Sequence, residues 1–204
     1  MVLVSLHPRR LQKALFALAA GFGLLGVPCF AQALLFTVPS TPYDGQMLRV
    51  ARVLKAPASS KTDANSLVAL NSWMSGLRAM PYQYSPKWKT PRELRVSKSG
   101  DCKGKAVALY DKLRAHGARN VRLVIGKHRI EDSRTHAWVE WQTANGNLLL
   151  DPTFNWAATR TNEQDPFNYV PLYAYDSGHK YRAFNPLQVT QHSALSTQVA
   201  SGGR

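Results

Sequence analysis

The stretch whose reading decides the fold is Ser99-Gly100-Asp101-Cys102-Lys103-Gly104-Lys105-Ala106. It reads as a tight turn that delivers a cysteine to the first turn of a helix. Gly100 permits the turn, and Asp101 is a good N-cap, because its carboxylate can accept free backbone N–H groups of the following turn. From Cys102 to His116 the apolar residues Cys102, Ala106, Leu109 and Leu113 recur on one helical face, and Gly117 suits the position just past the end. Cys102 then sits at the positive end of the helix dipole, with Lys103 and Lys105 close by in sequence. Those effects favour thiolate over thiol. A buried structural cysteine is the alternative reading of the same stretch.

The chain of 204 residues is long enough for one domain with a sizeable core. Residues 1–33 read as a secretory signal peptide. Arg9, Arg10 and Lys13 form a charged start, Ala14 to Val27 an apolar run, and Ala31-Gln32-Ala33 a small-x-small cleavage site. The apolar run is short for a membrane span and carries Gly21, Gly23 and Gly26. Cleavage would remove Cys29 and leave Cys102 as the remaining one of two cysteines. A lone thiol in an oxidising compartment has to be buried or used. The expected location is therefore periplasmic or secreted, with no stable membrane span after cleavage.

Lys and Arg number 26 against 12 Asp and Glu, a net charge of +14. The basic residues are scattered rather than clustered, which describes a solvated surface, and export argues against a nucleic-acid partner. The domain is expected over 34–185, with a polar, flexible tail over 186–204.

Within the domain, the apolar positions predict a short helix over Asp44–Leu54 and a second over Ala64–Met80, the latter capped by Asp63. Leu67, Leu70, Met74 and Leu77 are its core stripe. Thr90-Pro91-Arg92-Glu93 has the pattern of a capping box with proline in the first turn. Strands follow at Asn120–Lys127, Thr135–Gln142 and Asn147–Leu150. Asp176-Ser177-Gly178-His179 reads as a hairpin turn between Pro171–Tyr175 and Lys180–Phe184.

A thiol-based amide chemistry needs an attacking sulfur, an imidazole to carry the proton, and a group that orients the imidazole. Cys102, His136 and Asp151 are the candidates. Asn145-Gly146 as the centre of a two-residue turn would set His136 opposite Asn155 and Asp151 opposite Glu140. A longer loop, Gln142–Asn145, would set His136 beside Asp151, and that pairing is the expectation. Either pairing leaves the two side chains on one sheet face. The indole N–H of Trp88 is a candidate second oxyanion donor beside the Cys102 backbone N–H, with a core role as the alternative. His128, Glu131, Asp132 and His136 match no metal-ligand spacing. No metal and no cofactor is expected.

Three motifs in order resemble the transglutaminase-like superfamily: Gly100-Asp101-Cys102, Thr135-His136-Ala137-Trp138-Val139-Glu140 and Leu150-Asp151-Pro152-Thr153. The resemblance runs from about Tyr82 to Asn155. It implies an α+β, papain-like core, with N-terminal helices and a cysteine-bearing helix packed on an antiparallel sheet. It also implies a Cys-His-Asp triad at Cys102, His136 and Asp151. Trp88-Lys89-Thr90-Pro91-Arg92-Glu93 and Tyr169-Val170-Pro171-Leu172-Tyr173 are similar to segments of the bacterial transglutaminase-like cysteine proteinases. Known members of that group are exported and include calcium-dependent peptidases that release surface adhesins. They carry an acidic pair after the cysteine, whereas this chain has Lys103-Gly104, whose side chains offer calcium no oxygen. Calcium is therefore not carried over. The function expected is an exported cysteine peptidase or amidase acting on a protein or peptide of the cell envelope. Acyl transfer to an amine and a non-catalytic envelope-binding domain are the alternatives.

Overall fold

A computed structural model describes residues 33–60, 66–164 and 167–184. The expected signal segment, apart from Ala33, the tail over 186–204 and Asp63 lie outside these residues.

Among the described residues, five α-helices precede most of the sheet. Asp44–Met47 (α1), a 3-10 turn at Leu48–Val50 and Ala51–Lys55 (α2) replace the single expected helix. They still bury Met47, Val50 and Leu54 on one side. Leu67–Ala79 (α3) starts later than expected, because the Ser66 side chain accepts from the Ala69 N–H and caps it there. Leu70, Met74 and Leu77 are buried, while Leu67, at the first helical position, is exposed. Pro91–Ser97 (α4) carries the full capping box between Thr90 and Glu93. Cys102–Ala115 (α5) begins at Asp101, whose carboxylate accepts from the Gly104 N–H, and ends at His116 before Gly117 at φ 89°.

The described strands are Leu34–Thr37 (β1), Val121–Arg129 (β2), His136–Thr143 (β3), Gly146–Leu150 (β4), Thr159–Arg160 (β5), Asn168–Asp176 (β6) and His179–Phe184 (β7). They form one antiparallel sheet in the order β1-β7-β6-β2-β3-β4-β5. The chain is thus α+β, with helices on an antiparallel sheet. The alternation of β3 is obeyed. Ala137, Val139 and Trp141 join Leu109, Leu113 and Leu123 in the core beneath the helices. Trp138 packs on the other face with Val124, Leu149, Tyr169 and Ala174. Helix α5 lies against β2 and β3. Each fully buried leucine on it contributes roughly 1.5–3 kcal/mol relative to exposure.

Neither expected β3–β4 pairing occurs. Thr143 faces Gly146 and Val139 faces Leu150, so Ala144-Asn145 is the turn. A turn centred on Asn145-Gly146 needs positive φ at both positions. Only Gly146 adopts it, at φ 111°, so the glycine follows the turn instead of lying inside it. The observed pairing is midway between the two alternatives. An even shift preserves the faces.

A Cβ would meet a close neighbour at two glycines, backbone at Gly126 and the end of a side chain at Gly100. At Gly126, where the β2–β6 ladder shifts, a Cβ would meet Val170 O at 2.2 Å and Trp138 at 2.5 Å. At Gly100 it would strike Leu94 Cδ1 at 2.3 Å. The latter glycine therefore answers a close approach, its φ being unexceptional.

Candidate active site

Three separate elements converge at the N-terminus of α5. Cys102 occupies the first helical position and retains 8% of its surface. Its helix start is fixed by Asp101, which is fully buried. One oxygen of that carboxylate accepts from Gly104 N at 3.1 Å, and the other accepts from Ser85 N at 3.1 Å and from the Lys103 ammonium. The two lysines expected beside the thiol are turned to other partners. Lys103 pairs with Asp101. Lys105 is buried and donates to Met80 O at 2.8 Å, near the C-terminal end of α3.

His136 begins β3 and Asp151 follows β4 directly. His136 Nε2 lies 2.8 Å from Asp151 Oδ2, both residues being buried. The Cys102 side chain is the other group that acts on the ring to raise its pKa. With Nε2 directed at Asp151, Nδ1 is the nitrogen left for sulfur. Burial alone would lower the pKa of His136. The hydrogen bonds to Asp151 and Cys102, with their charges, outweigh burial and push it up to about 9. The ring is therefore held as an imidazolium at neutral pH.

Asp151 has both oxygens occupied. Oδ1 accepts from the backbone N–H groups of Thr153 at 2.8 Å and Phe154 at 3.4 Å. Oδ2 accepts from the Tyr169 hydroxyl at 2.9 Å as well as facing His136. Burial would raise its pKa, but His136, Thr153 and Tyr169 together hold the carboxyl below the usual range. It stays ionised, hydrogen-bonded and paired, as a buried carboxylate must be.

Aromatic rings wall the histidine. Trp138 stacks at 6.2 Å between centroids, and the half-exposed Phe154 lies 5.0 Å away. His128, two residues beyond Gly126 in β2, stands edge-on to His136 at 5.8 Å and packs on Phe154 at 4.5 Å. Burial and the neighbouring imidazolium lower its pKa, so it is neutral at neutral pH. In the sequence, His128 belongs only to a set of residues whose spacing matches no metal-ligand pattern. Tyr169 stands out there only as part of the segment Tyr169-Val170-Pro171-Leu172-Tyr173. No local signal places either beside His136, because both arrive through strand pairing across the sheet.

Trp88 takes the core alternative. It is 2% exposed, and its Nε1 donates to Gln46 Oε1 at 2.9 Å, so the indole N–H already has its acceptor. Calcium does not fit the residues after the cysteine either. Lys103 occupies the Asp101 carboxylate, and among the described residues no three His, Cys, Asp or Glu side chains cluster to hold a metal.

The profile of the transglutaminase-like superfamily matches residues 50–156, just over half of the chain, and spans Cys102, His136 and Asp151. No curated protein matches. Among solved structures, calcium-bound LapG of Legionella pneumophila is 19% identical, with a TM-score of 0.49, over 65% of this chain and 79% of its own. The EGTA-treated form of that protein is 18% identical, with a TM-score of 0.48, over 64% and 77%. A candidate cysteine protease from Cytophaga hutchinsonii is 14% identical, with a TM-score of 0.36, over 72% and 66%.

Proposed function

The chain belongs to the transglutaminase-like superfamily, and from that premise we propose that it is an exported thiol hydrolase, a cysteine peptidase or amidase, in which Cys102, His136 and Asp151 act as a triad. The observation that carries this reading is the single imidazole that lies 2.8 Å from Asp151 and whose hold on its proton is strengthened by the neighbouring side chain of Cys102, the only described cysteine.

The chemistry follows from those positions. Cys102 Sγ, having passed its proton to His136, attacks the carbonyl carbon of an amide. The tetrahedral oxyanion forms beside the N-terminus of α5, where the Cys102 N–H has no acceptor within the helix. His136 returns the proton to the departing amine as the C–N bond breaks, leaving a thioester. Water, deprotonated by the same ring, then attacks that thioester and releases the acid. Asp151 holds the ring in place and keeps Nε2 protonated, so that Nδ1 is the nitrogen that works on sulfur. A protein or peptide of the cell envelope is the substrate class that fits export, and the location proposed is periplasmic or secreted.

The test is to incubate the protein with a cell-envelope extract, quench in acid and identify what is attached to Cys102 by mass spectrometry. A thioester adduct at Cys102, lost in Cys102→Ala, supports the hydrolase. An amide product carrying an added primary amine would move the reading to acyl transfer. Absence of any adduct, with stable binding of an envelope component by both proteins, would make it a binding domain.

A further inference from the structure

Tyr169 reaches the site from β6, on the far side of β2 from His136. It is 8% exposed, and its φ of 51° lies in the left-handed region, where a bulky side chain is an outlier. Glycine would occupy that backbone without strain but would bring no hydroxyl. Strain of this kind persists where surrounding contacts fix it, and it concentrates at working sites. The contacts here are specific. The Tyr169 hydroxyl donates to Asp151 Oδ2 at 2.9 Å, the same oxygen that faces His136 Nε2. Asn155 Nδ2 donates to that hydroxyl at 3.2 Å. With an incoming donor on its lone pair, the tyrosine directs its one proton at Asp151. The ring is gripped edge-on by His128 at 4.9 Å and Trp138 at 5.5 Å.

We infer that Tyr169 is a positioning residue of the triad, its hydroxyl fixing Asp151 Oδ2 and drawing off part of the negative charge that would otherwise bear on the imidazole. The inference rests on the hydrolase reading of the site. A carboxylate oxygen with two donors is a weaker base than one with His136 alone. The proton therefore stays on the ring, and the ring is held less tightly than by an undivided carboxylate. Burial and the Asp151 charge raise the tyrosine's own pKa, so it remains a donor throughout the working pH range. The other titratable groups facing the pair are Lys105 and Cys102 on α5 and His128 on β2. All three remain in place when the hydroxyl is removed.

Tyr169→Phe deletes one oxygen and keeps the ring and its packing, so a purely structural role would leave the titration of His136 where it was. The experiment is a nitrogen-15 NMR titration of the His136 ring in the full chain, with iodoacetamide alkylation of Cys102 followed over the same pH range. Tyr169→Phe is expected to raise the His136 midpoint by about half a unit or more, since an undivided carboxylate stabilises the charged ring more strongly. The alkaline inflection in Cys102 alkylation moves with it. Asn155→Ala, which leaves the tyrosine in place, moves both in the same direction by less, and carries the test if Tyr169→Phe does not fold. Unchanged or lowered midpoints in the folded variants, with fast alkylation of the unaltered protein, would overturn the inference and leave the hydrolase reading standing. Alkylation of the unaltered protein no faster than free cysteine would overturn the hydrolase reading itself, whatever the midpoints do.

Discussion

His136 Nε2 and Asp151 Oδ2 lie 2.8 Å apart although the two residues are not paired across the sheet. The β3–β4 ladder stops at Val139 and Leu150, so Asp151 turns in just beyond its last rung and meets the ring from the diagonal. Two backbone N–H groups and the Tyr169 hydroxyl hold it there. Asp151→Asn would keep an acceptor for the backbone N–H groups but lose the charge and offer the ring an amide. We predict that hydrolysis of an amide captured at Cys102 falls by about two orders of magnitude or more, chiefly in kcat. Steady-state kinetics on the captured substrate check this.

Cys102→Ala should leave the fold almost unaltered. Alanine is tolerated at the first position of α5, and the capping contacts of Asp101 do not involve the sulfur. The expected change in unfolding free energy is within about 1 kcal/mol, with total loss of adduct formation and turnover. Urea unfolding and product analysis on one preparation separate the two effects.

The charged state of His136 predicts a pH window for stability. Its pKa in the folded chain, about 9, is above the ordinary 6.5. The folded state therefore binds the proton more tightly. The stabilisation is fully present below about 6.5 and is lost as pH rises through about 9. Unfolding free energies measured across that window should decline in the native protein, and the decline should be smaller in His136→Gln, which has no proton to lose there. Parallel pH profiles for the two proteins would contradict the assignment.

Gly126→Ala should damage the site from a distance. The added methyl would lie 2.2 Å from Val170 O and 2.9 Å from Pro171 Cα, both backbone atoms of the neighbouring strand. Side-chain rotation cannot relieve that contact. It would have to part β2 from β6, the strand that carries Tyr169, at a cost of about 3 kcal/mol or more. Thermal melting and the His136 titration of any folded fraction measure both consequences.

Much of this arrangement was legible in local sequence, wherever a local rule governs. Asp101 before Cys102, Thr90 before Pro91, and the alternation through β3 each act within a few residues, and the structure follows them. The turn at Ser177-Gly178 is of the same kind, with both residues at positive φ as the hairpin requires. Distant partners were not legible. The pairing of β1 with β7 joins residues at opposite ends of the described domain, and Tyr169 reaches Asp151 only because β6 lies beside β2. The β3–β4 pairing misled for a subtler reason. Asn145-Gly146 is a strong turn signal, but Asn145 keeps a negative φ and the glycine takes the position after the turn. Trp88 carried an N–H that suited two roles, and Gln46, forty-two residues earlier, decided between them.

The most direct measurement is the alkylation rate of Cys102 by iodoacetamide at pH 6, compared between the native chain and His136→Ala. The positive charge of an imidazolium beside the sulfur favours its attack at that pH, so the native chain is predicted to react at least about tenfold faster than free cysteine. His136→Ala should react no faster than free cysteine. Equal, slow rates for both proteins would contradict the account.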